Sequence, residues 1–133
     1  MIAQVRPLRL EQGLVTAVKR KLDAQLQHLT LPEETALGLY RALQACLDNI
    51  LRHAWARTVV VTLAMTGVQL TLRVADDGIG FDVARPVGPR AYGLLGMTLR
   101  MAALGGAMAV ASSPGAGAAV TLSVPLHRGT RPV

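Results

Sequence analysis

The chain has 133 residues, enough for one domain with one core, and 51% of them are apolar, which excludes a disordered chain. The net charge is +6, from 14 Lys and Arg against 8 Asp and Glu, but the basic residues are scattered and aromatics make up only 3%, so a base-stacking nucleic-acid binder is a poor fit. One cysteine, Cys46, excludes an internal disulfide and a cysteine-cluster metal site, no apolar run is long enough to span a bilayer, and no N-terminal signal peptide is visible.

Residues 1–9 carry two arginines and a proline and show no period. From Leu10 to Leu29, Leu10, Leu14, Ala17 or Val18, Leu22, Gln25 or Leu26, and Leu29 recur at helical spacing, so a helix is expected there. Its one tight basic run, Lys19-Arg20-Lys21, reads as a solvated face. Thr30-Leu31-Pro32-Glu33-Glu34 is a break and a restart, with a proline and two acids suited to a helix's first turn. The second helix is expected from Pro32 to Ala54. Leu39, Leu43, Leu47 and Ile50 make its core stripe, and Cys46 reads as a small core residue. A second stripe of Ala45, Asn49, Arg52 and His53 is offset by two residues, roughly 200 degrees, and presents Asn, Arg and His together.

Arg57 to Met65 alternates as a strand, and Thr66-Gly67 turns it into the next. In that second strand Val68, Leu70, Leu72 and Val74 share one face. Asp76 has the same parity and so continues the apolar face. An ionised carboxylate left unpaired in an apolar interior costs several kcal/mol or more. Either a protein donor satisfies Asp76, or it lines a pocket and meets a donor from a ligand. Gly78 and Gly80 follow, where the chain turns tightly or approaches a ligand closely. Asp77-Gly78 also reads as an ordinary turn after a strand.

Asp82 to Tyr92 has no period and is expected to be a loop. Gly93-Leu94-Leu95-Gly96-Met97 then opens a helix with Leu94, Met97, Met101 and Leu104 on one face, ended by Gly105-Gly106. A glycine-rich loop entering a helix N-terminus is suited to phosphate. Ala107 to Ser112 and Ala118 to Pro125 are expected strands joined by the turn Ser113 to Gly117. Met108, Val110, Val120, Leu122 and Val124 point inward. The order is helix, helix, strand pair, loop, helix, strand pair. It implies an α+β, two-layer arrangement with a mixed, mainly antiparallel sheet packed on helices. No P-loop motif is present.

Four pieces now stand in a fixed order: an Asn-bearing helix, D-D-G-I-G-F, a segment ending in Y-G-L-L-G-M, and S-S-P-G-A-G. The set resembles the ATP-binding domain of sensor histidine kinases. Their superfamily (the Bergerat, or GHKL, fold) also holds gyrase, heat-shock chaperone and mismatch-repair ATPases. It is most similar to the nitrate-sensor-like branch, whose first box reads approximately R-x-x-Q-E-A-L-x-N-x-x-K-H-A; here that box runs from Arg41 through Gln44, Ala45, Asn49, Arg52 and His53 to Ala54. The likeness covers about Pro32 to Pro125. It implies a nucleotide-binding core at 32–126, a lead-in helix within 1–31 and a tail at 127–133.

The resemblance implies ATP and Mg²⁺ as ligands. Asn49 would coordinate the metal, Arg52 and His53 would face the phosphates, and Asp76 would accept the adenine amino N–H. Gly78 and Gly80 would let the chain pass close to the base. Residues 82–92 would form a mobile lid, with Gly93, Leu94 and Gly96 as its hinge and phosphate cradle. Gly115 and Gly117 would make the turn beside the adenine, and Ile79, Tyr92 and Met97 complete the implied set. The implied partners are a histidine-bearing dimerisation domain and, through it, a response regulator, in the cytoplasm, with no nucleic acid and no membrane contact by this segment.

Two departures bear on catalysis. Ala45 stands where the branch usually has Glu, and Ala118 follows Gly117 where Thr is usual. No certain catalytic residue is therefore assigned. Neither His28 nor His127 sits in the helical H-D or H-E context of a phosphoacceptor. The leading expectation is a kinase catalytic domain; the alternative is a non-catalytic nucleotide-binding or protein-interaction module.

Overall fold

Helices form where apolar residues recur at helical spacing. In the computed structural model, which describes residues 2–5, 12–27, 29, 31–85 and 88–126, α1 spans Gln12–Leu26 and α2 spans Glu33–Asn49. The expected helix start at Leu10, the break residue Thr30, His28 and the 127–133 tail lie outside the described residues. Pro32 stands just before the first turn of α2, and Glu33 and Glu34 fill that turn, where carboxylates meet the positive end of the helix. Leu39, Leu43 and Leu47 are fully buried, as the stripe required. Lys19, read from sequence as solvated, instead ties α1 to α2. Its ammonium donates to Gln44 Oε1 and lies 4.9 Å from the centre of the Tyr40 ring, while Gln44 Nε2 donates to Asp48 Oδ1 at 2.9 Å.

The α-helix does not continue to Ala54. Ile50–Ala54 is a wider, π-helical turn, closed by Trp55 in the left-handed region (φ 51) with its side chain 86% exposed. π-turns of this kind re-aim the residues that follow them.

Five strands follow the order β1-β2-β3-β5-β4, with β1 at Ile2–Val5, β2 at Val59–Thr66, β3 at Gln69–Asp76, β4 at Ala107–Ser112 and β5 at Ala118–Pro125. Every described pairing is antiparallel, in keeping with the mainly antiparallel sheet expected, and no parallel pair occurs among the described residues. β1 was not foreseen. Its four residues become a strand by pairing along the edge of β2, Ile2 opposite Thr62, and not by a pattern of their own. Val68 is a second correction. Thr66 pairs with Gln69, which leaves Gly67 (φ 59) and Val68 as a two-residue turn, so Val68 is 71% exposed. Leu70, Leu72 and Val74 are buried as expected.

The third helix, α3, spans Pro89–Ala103 and begins four residues before Gly93, inside the segment expected to be loop. A proline at the first helical position is pre-set for the turn. Gly93 and Gly96 each cost the helix about 1 kcal/mol relative to Ala. Burial of Met97 and Met101 offsets that cost. At the other end the Gly106 N–H donates to Met101 O (2.8 Å) and the Gly105 N–H to Ala102 O (3.0 Å), with Gly105 at φ 76, which is the paired-bond stop expected of Gly-Gly. Gly38 of α2 lets α3 come close, since a Cβ there would fall 2.6 Å from Leu104 Cδ1. All three helices cover one face of the sheet. Val18, Leu22 and Leu26 of α1 join Leu39, Leu43 and Leu47 of α2, Met97 and Met101 of α3 and the inward residues of β2, β3 and β5 in one core.

Candidate functional site

One sheet row borders the site, and two of its members, Asp76 and Ala118, line the cleft. Asp76 at the end of β3 pairs with Ala118 at the start of β5, and Ala118 pairs in turn with Ser112 at the end of β4. All three share the parity of the buried Leu72, Val74, Leu122 and Val124, so the row faces the helices. Across it lie the last turn of α2 and the second turn of α3. The result is a cleft lined by Cys46, Asn49, Ile50, Val74, Asp76, Gly80, Phe81, Leu94, Ala118 and Val120, with about 490 Å³ of atom-free space counting its open mouth. An apolar cleft with a few convergent polar groups is the usual form of a small-molecule site. Its walls are apolar except for the Asp76 carboxylate, the Asn49 amide and the Cys46 thiol. Burial pushes the Cys46 thiol up to about 12, and its Sγ lies 3.8 Å from Met97 Sδ, so it is an inert packing group as expected.

Asp76 is half-buried, and the Gly78 N–H donates to its Oδ1 at 2.8 Å. The two sequence alternatives therefore coexist. One carboxylate oxygen caps a short Asx-type turn, and the side chain still lines the cleft. Asp77 takes the purely structural part. Its Oδ1 accepts the N–H groups of Thr58 (2.8 Å) and Arg57 (2.7 Å), which hold the carboxyl below its usual range, the Thr58 bond foremost, and fasten the end of β3 to the start of β2.

The glycines shape the cleft more than they line it. Gly80 (φ 64) lies against the 112–117 turn, where a Cβ would fall on Ser113 O and within 2.7 Å of Gly117 O. Gly117 (φ 69) lies equally close to the backbone of Asp76. Gly115 (φ 82) has open space around it, and its N–H donates to Ile79 O at 2.6 Å. Gly80→Ala should therefore cost about 3 kcal/mol or more, strain plus overlap, whereas Gly115→Ala should cost only the left-handed penalty of about 1–2 kcal/mol. Urea unfolding of the two variants checks this, and equal losses would contradict the close approach at Gly80.

The other expected residues divide. Asn49, Asp76, Gly80 and Leu94 meet in the cleft wall. Gly93 is next to Asn49, since a Cβ on it would stand 3.9 Å from Asn49 Nδ2. Gly78, Ile79, Gly115 and Gly117 form the turns behind the wall. Arg52 and His53 are not in the wall, because the π-turn at Ile50 breaks the helical stripe that aligned them with Asn49. Met97 is a core residue (2% exposed), Tyr92 is 78% exposed and Gly96 faces open space, all because α3 is already helical from Pro89. Sequence reasoning missed Phe81, Ile50, Val74, Ala118 and Val120 as wall residues. For Val74, Ala118 and Val120 the signal was present in the parity of Asp76 and the pairing of the second hairpin. Ser112, inside the S-S-P-G-A-G piece but outside the wall, was not singled out. Among the described residues no group of three His, Cys, Asp or Glu is placed to hold a metal ion, and no helix is long and apolar enough to cross a membrane.

The fold and its cleft match those of a known family of ATP-binding domains. The family model described as "Histidine kinase-, DNA gyrase B-, and HSP90-like ATPase" matches residues 34–128, so the chain belongs to that family. The relatives it matches are sensor proteins, among them a sensor histidine kinase. The chain is 30% identical over 138 residues to sensor histidine kinase LiaS of Bacillus subtilis (95% of this chain, 38% of LiaS) and 27% identical over 140 residues to sensor protein VraS of Staphylococcus saprophyticus (96% of this chain, 40% of VraS). Among solved structures, the blue-light activated histidine kinase of Erythrobacter litoralis EL346 superposes with a TM-score of 0.60 at 30% identity, covering 74% of this chain and 33% of that one. The chain thus spans about two fifths of the length of these curated relatives. Their names do not favour the non-catalytic alternative.

Proposed function

We propose that the cleft takes the adenine of ATP against the Asp76–Ala118 floor and directs the phosphates past Asn49 toward the N-terminal turns of α3. The observation that carries this reading is the half-buried carboxylate in an otherwise apolar cleft. An acceptor-only group among Val74, Ile50, Phe81 and Val120 suits a flat apolar ring that bears one outward N–H donor. Gly78, Gly80, Gly115 and Gly117 act from behind by closing the two turns onto Asp76. The core at 32–126, with α1 packed on it, is the unit that binds. Arg52 and His53, within the π-turn, and Arg85, before α3, supply positive charge toward the phosphate end.

Asn49 is the side chain in the wall suited to a Mg²⁺ ion. When bound, that ion would neutralise phosphate charge. One neutral amide oxygen is a weak ligand for a hard cation, so the remaining ligands must be phosphate and water. Asn49→Ala should reduce the Mg²⁺-dependent part of ATP affinity and leave adenosine affinity within about twofold. Calorimetry with ATP, with and without Mg²⁺, and with adenosine checks this. Equal loss for all three ligands would contradict the assignment.

In the whole protein the γ-phosphate would be held for attack by a histidine on a separate dimerisation domain, with a response regulator as the onward acceptor, in the cytoplasm where ATP is present. Positioning and charge neutralisation would carry the rate.

A further inference from the structure

Between the floor of the cleft and its Phe81 wall stands one hydroxyl to which nothing above gives a role in binding. The Phe81 N–H donates to Ser112 Oγ at 2.9 Å, and the Ser112 hydroxyl donates to Gly117 O at 2.6 Å. Ser112 therefore joins the 78–81 turn to the 113–117 turn by a side chain, beside the backbone bond from the Gly115 N–H to Ile79 O. Both turns close on Asp76. Gly117 lies against the Asp76 backbone, and Gly80 against Ser113 O and Gly117 O. Phe81, the one phenylalanine of the chain, is the aromatic member of the cleft wall. Ala118, between Ser112 and Asp76 in the row, has only a methyl group and brings no polar group to the floor.

Resting on the adenine reading of the cleft, we propose that Ser112 is the positioning residue of the base pocket, fixing the distance between the Phe81 wall and the Asp76 carboxylate. A hydroxyl suits the task because it is at once acceptor for one turn and donor to the other. A group held within a fraction of an ångström by such a shell binds more tightly than one left free to relax.

Ser112→Thr and Ser112→Val differ only by a hydroxyl against a methyl, and both are suited to a strand. The Thr variant should bind adenosine and ATP as the unmodified chain does. The Val variant, which loses both part-buried hydrogen bonds, should bind both about tenfold more weakly and should discriminate adenosine from inosine less well. Its Mg²⁺-dependent gain for ATP should be unchanged. A residue that serves only stability would lower the unfolding midpoint without moving the affinities or the adenosine-to-inosine ratio of the folded protein. That result, or equal binding by Thr and Val, would overturn the proposal. Amide exchange of Phe81 in the unmodified chain gives a test that needs no variant. Protection should be present without ligand and rise with adenosine, whereas fast exchange in both states would overturn it. If neither adenosine nor ATP binds while Phe81 is protected, the staple stands, and the adenine reading and the proposal built on it both fail.

Discussion

Asp76→Asn should weaken ATP and adenosine binding by about 1.5–3 kcal/mol, roughly 10- to 150-fold, with the domain still folded. The carboxylate is an acceptor at both oxygens, so it meets an amino N–H whichever oxygen is presented. Asparagine keeps one acceptor, which the Gly78 N–H already uses in the Asx-type turn. The other end of the amide is then a donor facing a donor. The fold should persist because Asn supports the same turn and Asp76 is half-exposed to the open cleft. Calorimetry of the folded variant decides. Unchanged affinity would remove Asp76 from the site, and a variant that unfolds would make its role structural.

The second large effect concerns turnover. The chain should bind ATP, hydrolyse it very slowly and acquire no phosphate of its own. None of its three histidines has an acidic neighbour on its C-terminal side, and His53 lies in the π-turn beyond Asn49. Ala45, half-buried one turn before Asn49 on the same side of α2, has no group to orient or deprotonate water. General-base assistance is typically worth about 10²–10⁴-fold, so Ala45→Glu should raise hydrolysis by up to that range if the absent carboxylate is what limits it. Release of inorganic phosphate under saturating ATP measures this. Brisk turnover by the unmodified chain would contradict the account, because an unidentified group would then be activating water.

Much of the cleft was legible because strand parity carries through a sheet. The buried face of Leu70, Leu72 and Val74 fixed which way Asp76 points, and Val120 and Leu122 fixed the face of the neighbouring strand. What parity does not encode was missed. β1 exists by pairing with β2, so its own residues gave no period. The π-turn at Ile50 shifts Arg52 and His53 off the Asn49 stripe, and no residue pattern announces a widened turn. Helix α3 reaches back to Pro89 through two glycines because tertiary burial of Met97 and Met101 outweighs local propensity. Ser112 acts through backbone partners on two separate turns, a relation visible only once both are in place.

The central claim is that the cleft over Asp76 recognises the amino group of adenine. Titration of the unmodified chain with adenosine and with inosine, which carries a carbonyl in place of that amino group, tests it directly. The account predicts saturable binding of adenosine and at least tenfold weaker binding of inosine, the cost of setting an acceptor against a carboxylate. Equal affinity for the two nucleosides would contradict it.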